Sequence, residues 1–292
     1  MEEIVYLNGS LIEREKAFIS ISDHGFLYGY GLFQTARAYN GKMFLLEKHI
    51  QRLINAAQVI GMREKVTAEE LERACRDTLK ANELKEARVR VTVTNGESTA
   101  LPWVEAGGMP TVLVTAEPYM PFPEKKYNEG FKVGIASVKR CRQSVLSMMK
   151  SINYLISVIA RIEATENELD ENIVLNDGGY VAEGGSSNIF FVEQGRLLTP
   201  SKNNGIIPGV TREVIIKIAK KMGMRVKEAD ITPDVIDGFD EIFMTNCLIE
   251  VMPVVRVSDE EGRMNIIGDG KPGNITKRLL AAYREMVAKE TK

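Results

Sequence analysis

A lysine at position 150 sits in the mostly apolar stretch SVLSMMKSINYLISVI. Burial there disfavours an ammonium and leaves a nucleophilic amine of the kind that condenses with carbonyls. A lysine at a helix start, its head reaching back to water, is written with the same residues. Glu183 lies in YVAEGGSSN, where glycines and serines let a ligand approach the backbone, and its carboxylate suits a protonated ring nitrogen. A strand-end glutamate facing water is the plain alternative. Pro208-Gly209 ahead of Val210-Thr211 predicts a helix start with unpaired backbone N–H groups, which is either an anion site or an ordinary capped helix. Arg52, in EKHIQRL, is a fixed cation that can grip a phosphate with two N–H groups or simply stay solvated. Singly, each has an ordinary structural explanation. Their order is more telling: arginine on an early helix, lysine ahead of a helix, glutamate after a hairpin, then a phosphate-type turn.

The elements that must hold these groups are set by periodicity. IVYLNG and LIEREKAFISISD predict two strands joined at Asn8-Gly9. MFLLEKHIQRLINAAQVIGM predicts a helix with Leu46, Ile50, Leu53, Ile54, Ala57 and Ile60 at helical spacing, ending at Gly61. TAEELERACRDTLKANEL predicts a second helix, opened by a capping box of Thr67 and Glu70. ARVRVTVTN and PTVLVTAEP read as strands, closing a first α+β unit over residues 1–120. YMPFPEKKYNEG has the composition of a linker, over about 121–130, and residues 131–292 form the second unit. There FKVGIASVKR is a strand, and Ile152, Leu155, Ile156, Ile159 and Ile162 mark one face of an amphipathic helix running to about Asn167. Strands with turns at Asp177-Gly178-Gly179 and Gln194-Gly195 come next, then a helix in VTREVIIKIAKKMG. DEIFMTNCLIEVMPVVRV reads as two strands around a loop, and the last helix turns Leu279, Leu280 and Tyr283 inward.

Composition narrows the partners. The 292 residues are 44% hydrophobic and 27% charged with a formal net charge of −2, so no chain-wide basic field exists for nucleic acid or an anionic membrane. Small molecules are the expected partners. MEEIVYLNGSLIE has neither the basic nor the apolar region of a secretory leader, and three scattered cysteines, Cys75, Cys141 and Cys247, fit reduced thiols. A cytoplasmic location is expected. With two histidines, a histidine-rich metal site is not.

The ordered stretches YLNGSLI, SDHGFLYGYGLFQTARAYNGKMFLLEKHIQRL, KSINYL, VLNDGGYVAEGGSSNIFFV, GIIPGVTREVI, DEIFMTNCLIEVMPV and GKPGNITKRL resemble the class IV aminotransferase family, the fold-type IV pyridoxal phosphate enzymes, over nearly the whole chain. The resemblance implies an α+β fold with a small α+β domain and a larger pseudobarrel domain. It implies pyridoxal 5′-phosphate as cofactor, a primary amine as substrate, and a homodimer. It makes Lys150 the Schiff-base lysine and proton carrier, and Glu183 the partner of the pyridinium nitrogen. Tyr154 goes to the phenolic oxygen, and Arg52, Val210 and Thr211 go to the phosphate, with Asn246 and Cys247 also at the cofactor. Tyr28, Phe33, Arg90 and Leu248 fall on the substrate side, Tyr28 by reaching a neighbouring subunit's site.

Within the family, Thr35 in FQTAR and the form of TNCLIEVMPV point to 4-amino-4-deoxychorismate lyases, with Thr35 assisting loss of the enolpyruvyl group. Branched-chain aminotransferases stand second, where Arg90 is equally at home. D-amino-acid aminotransferases come third, because GESTALPWVEAGG lacks an arginine for the substrate carboxylate. Three positions depart from the usual pattern: Tyr30 where aspartate is common, Gln34 in place of glutamate, and Cys247 where a hydroxyl would contact phosphate.

Overall fold

A computed structural model of the protein describes residues 2–62, 66–97, 109–259 and 261–292. The stretch GESTALPWVEAGG falls largely outside these. By contact density the chain forms two units, Met1–Met120 with Met149–Asn153 and Val287–Lys292, and Pro121–Met148 with Tyr154–Met286.

The first unit contains β1 (Ile4–Leu7), β2 (Ser10–Glu13), α1 (His24–Tyr28), β3 (Gly31–Tyr39), β4 (Lys42–Met43), α2 (Leu46–Val59), α3 (Ala68–Ala81), β5 (Ala87–Thr94) and β6 (Thr111–Pro118). The strands make one antiparallel sheet, β2-β1-β6-β5-β3-β4. Alternation explains its two faces. Val89, Val91 and Val93 of β5 and Leu32, Ala36 and Ala38 of β3 join one core with Leu46, Ile50 and Leu53 of α2 and Leu71, Cys75 and Leu79 of α3. By the period of two, Phe33, Thr35 and Arg37 of β3 and Arg88, Arg90 and Thr92 of β5 belong to the other face, with Thr35 opposite Arg90 and Arg37 opposite Arg88. The Thr67–Glu70 capping box is formed as the sequence predicts.

Sequence and structure part at two places here. The strand predicted to run through LIEREKAFISISD stops at Glu13, because Glu13 pairs with Ile4, the first residue of β1, and β1 has no residue left to pair with Arg14 onward. Within SDHGFLYGYGLFQTARAY, α1 and the nine-residue β3 went unassigned in the sequence; α1 is capped by Asp23, which accepts from Gly25 N–H at 2.6 Å, and ends on left-handed Gly29.

The second unit contains α4 (Glu124–Glu129), β7 (Phe131–Arg140), α5 (Leu155–Glu166), β8 (Glu171–Asn176), β9 (Val181–Gly184), β10 (Asn188–Glu193), β11 (Arg196–Pro200), α6 (Val210–Lys221), β12 (Val226–Ala229), β13 (Glu241–Asn246), β14 (Glu250–Ser258), β15 (Met264–Ile266) and most of α7 (Asn274–Glu290). Its nine-stranded mixed sheet runs β12-β11-β10-β13-β14-β7-β8-β9, with β15 on β14. The stretch read as a linker holds α4.

Helix α5 corrects an expectation. It begins at Leu155, so Ile152 lies ahead of it, and its buried residues are Ser157, Ala160 and Ala164. Leu155, Val158 and Ile162 are exposed. Small side chains on the sheet side permit close approach, close enough for Asn172 Nδ2 to donate to the Ala160 carbonyl at 3.1 Å, and the large aliphatics are left outside. No helix among the described residues is long and apolar enough to cross a membrane.

Candidate active site

Lys150 is positioned by backbone pairing. Residues 149–153 run beside β3: Leu32 and Ser151 form a bridge, Phe33 N–H donates to the Lys150 carbonyl at 2.8 Å, and Ile152 N–H donates to the Gly31 carbonyl at 3.1 Å. Met149 anchors the segment in the core. The Lys150 ammonium lies 4.7 Å from the Phe33 ring centroid, and the same ring carries the Arg90 guanidinium at 3.8 Å. Lys150 is half-buried and shares its unit with Phe33, Thr35, Arg52 and Arg90.

Arg52, on α2, is gripped by an uncharged partner. Gln34 Oε1 accepts from its Nε at 3.2 Å and its Nη2 at 2.6 Å. One turn earlier His49 is buried, and burial first, then the charges of Arg52 and Lys150, push its imidazole down to about 3. His49 is therefore neutral, and its Nδ1 has no hydrogen-bond partner among the described residues. Two cations thus act on one neutral buried ring. Spacing in EKHIQRL put His49 and Arg52 on one face, but nothing in the sequence marked the imidazole as part of the site.

The second unit is built around an acid. Glu183, on β9 and buried, receives Arg140 Nη1 on Oε1 at 2.8 Å, and on Oε2 the Asn188 amide at 3.0 Å and the Ile207 N–H at 2.9 Å. Asn188 Nδ2 also donates to the Ile207 carbonyl at 2.9 Å, which ties the carboxylate to the turn that opens α6. That turn is packed closely against Asn188. Gly209 caps α6 without a side chain, and a Cβ there would lie 2.1 Å from Asn188 Oδ1. The buried Val210 and Thr211 begin the helix. Arg140 and Asn188 were missed in the sequence: Arg140 is 43 residues from Glu183, and Asn188, although it ends the YVAEGGSSN stretch, carries no chemistry there that points to the carboxylate.

The remaining candidates are less alike. The Tyr154 phenol is pushed up mainly by burial, opposed by a hydrogen bond with Ser157 and raised further by Glu183 and Glu171. Glu171 is itself raised by burial and accepts from Ser186 N–H, Ser186 Oγ and Ser187 Oγ, which pins the turn after Glu183. Asn246 shapes the β13–β14 turn: its Oδ1 accepts from the N–H groups of Leu248 and Ile249, and its Nδ2 donates to the Ser186 carbonyl at 3.1 Å. Cys247 and Leu248 form the tip of that turn. Tyr28 is half exposed on α1, edge-on to His24 at 5.2 Å. Tyr30, at the first departure from pattern, donates to the Ile60 carbonyl at 2.6 Å.

Residues 31–257 match the family model for amino-transferase class IV. The chain belongs to the class IV aminotransferases. It is 36% identical over 286 residues to a putative branched-chain-amino-acid aminotransferase of Methanocaldococcus jannaschii, covering 98% of this chain and 96% of that one. An aminodeoxychorismate lyase of Bacillus subtilis is 34% identical over 286 residues, covering 97% and 94%. The crystal structure of the T.th. branched-chain amino acid aminotransferase with pyridoxamine 5′-phosphate superposes with a TM-score of 0.90 at 29% identity, covering 98% of this chain and 94% of that one. The α+β class, with a small antiparallel sheet and a larger curled half-barrel sheet, is that of fold-type IV. The protein is thus a pyridoxal phosphate-dependent enzyme.

The residues present fit that cofactor. Its phosphate needs N–H donors and cations, and the first turn of α6 has no side-chain cap. Its basic ring nitrogen needs a buried acid that is held as an anion, which is what three donors do for Glu183. Its aldehyde needs an amine out of bulk water, and Lys150 stands against an aromatic ring.

Proposed function

We propose that the protein is a branched-chain amino acid aminotransferase, moving the amino group of L-leucine, L-isoleucine or L-valine to 2-oxoglutarate. The observation that carries this is the sharing of Phe33 by Lys150 and Arg90. The ring offers an apolar floor for a branched side chain beside the reacting amine, and Arg90 offers a guanidinium for a substrate carboxylate. The similarity to named branched-chain enzymes, in sequence and in fold, supports the same reading. It favours this reading over the lyase expectation, which rested on Thr35 and on Asn246-Cys247. Thr35 lies opposite Arg90 in the register and Asn246 is engaged with its own turn, and neither position speaks for elimination over amino transfer.

In this reading Lys150 holds the cofactor through its aldehyde, Arg52 and the Val210 and Thr211 N–H groups receive the phosphate, Glu183 faces the ring nitrogen and Tyr154 the phenolic oxygen. Bound there, pyridoxal phosphate supplies an electron sink for charge developing at the substrate α-carbon. With the cofactor bound, Lys150 would serve as the base that takes the substrate α-proton and as the acid that gives it back. Arg90 holds the carboxylate, so that the same proton is presented at each turnover. The aliphatics exposed on Leu155, Val158 and Ile162, with Phe18, Ile21 and Phe26 in the first unit, support a homodimer in which Tyr28 serves the partner copy's site.

One preparation tested in parallel decides the reaction: leucine with 2-oxoglutarate, and aminodeoxychorismate alone. Glutamate formation dependent on leucine is expected. Release of 4-aminobenzoate and pyruvate without amino transfer would return the lyase, with Thr35 as the group to test first.

A further inference from the structure

We infer that Arg140 is a positioning residue that decides where the proton shared by Glu183 and the cofactor's ring nitrogen resides. This rests on the assignment of Glu183 above. Arg140 closes β7 and is buried; its Nε donates to the Gly205 carbonyl at 2.9 Å and its Nη2 to the Ser147 carbonyl, and these two anchors aim Nη1 at Glu183 Oε1, 2.8 Å away. An acid facing a pyridine nitrogen holds one proton in either of two arrangements: carboxylic acid with neutral ring, or carboxylate with protonated ring. Away from water the uncharged arrangement is favoured unless something stabilises the separated charges. Arg140 does so from one end. It lies against the carboxylate, so its charge favours the arrangement in which Glu183 is the anion and the proton sits on nitrogen.

Asn188 Nδ2 and the Ile207 N–H act in the same sense on Oε2. Among the described residues, Tyr154 feels the charges of Glu183, Glu171 and Arg140. Tyr154 is neutral, and Glu171, whose own ionisation is opposed by burial, is engaged with Ser186 and Ser187. Neither supplies the positive charge. A protonated ring draws electrons more strongly, so Arg140 acts on the rate through Glu183 without touching substrate.

The test is nitrogen-15 NMR of protein loaded with pyridoxal phosphate labelled at the ring nitrogen, comparing wild type with Glu183→Gln, Arg140→Met and Arg140→Lys. Wild type is expected to show a protonated nitrogen and Glu183→Gln an unprotonated one. Arg140→Met should move toward the Glu183→Gln position, with kcat lowered about tenfold or more, the equivalent of one pKa unit at the nitrogen, and KM changed less. Arg140→Lys should restore the protonated signal. If Glu183→Gln leaves the signal unmoved, the assignment of Glu183 falls. If Glu183→Gln moves it and Arg140→Met does not, only the role of Arg140 falls. Should Arg140→Met fail to fold, Arg140→Gln keeps an N–H donor, removes the charge, and gives the same comparison.

Discussion

The two units hold their charged candidate residues in opposite ways. Around Lys150 and Arg52 the protein gathers positive charge against neutral groups, the Gln34 amide and the Phe33 and His49 rings. Around Glu183 it supplies the counter-charge itself, through Arg140, and closes the carboxylate with two further donors. Positive charge in the first unit acts on the His49 ring beside it, and the second unit pairs Arg140 with Glu183. Binding energy for the cofactor should therefore reside mostly in the first unit, and tuning of its reactivity mostly in the second.

The largest break in that contrast is expected from Lys150→Ala. It removes the amine that holds the aldehyde and moves the proton, so turnover should fall by about 10⁴-fold, the upper range for a positioned proton-transfer group. Borohydride treatment should no longer fix cofactor to the 150 peptide in a mass spectrum. Retained labelling at another lysine would sink the assignment. A smaller effect, and a sharper one, is expected from Gln34→Glu. A carboxylate in the Gln34 position would pair with the Arg52 fork and neutralise it, so cofactor affinity, followed by absorbance titration, should weaken about tenfold, or roughly 1.4 kcal/mol. The apoprotein should gain thermal stability by the same substitution. Affinity that stays constant would mean that the charge of Arg52 does not hold the phosphate.

Legibility in the sequence divides along the same line. Lys150, Glu183, Arg52 and the Pro208-Gly209 turn could be singled out as candidates because each stands in a local word with its own chemistry, and α2, α3, β5 and β6 could be found because their burial obeys a clean period. Contacts made at long range were not legible. Arg140 reads as the end of a strand, and only the fold brings it to Glu183. Helix α5 misled for a related reason: periodicity finds an apolar stripe but cannot say whether it faces the chain's own sheet, and here Ser157, Ala160 and Ala164 take that side. The lyase reading leaned on two short words, Thr35 and Asn246-Cys247, when one of them turns out to shape a turn. Which groups share a surface, as Arg90 and Lys150 share Phe33, is reported by no spacing in the sequence.

His49 gives an effect on stability rather than on binding, and its shift reports burial first and the positive charge of the first unit second. Its imidazole falls from an ordinary 6.5 to about 3, through burial first and the Arg52 and Lys150 charges second. Below about 6.5 the unfolded chain takes up a proton at this position that the folded chain refuses until near 3. Stability from the neutral ring is thus fully present above about 6.5 and is lost as pH falls through that window. Between about pH 6.5 and 4 the loss assignable to this one group is about 3 kcal/mol. His49→Gln, which cannot take up that proton, should flatten the acid limb of a plot of unfolding free energy against pH while changing little at about pH 8. Saturating cofactor should flatten it in the wild type as well, because a bound phosphate offsets the two cations that repel the proton. An acid limb unchanged in His49→Gln would show that the ring is not held neutral by burial and the two neighbouring cations.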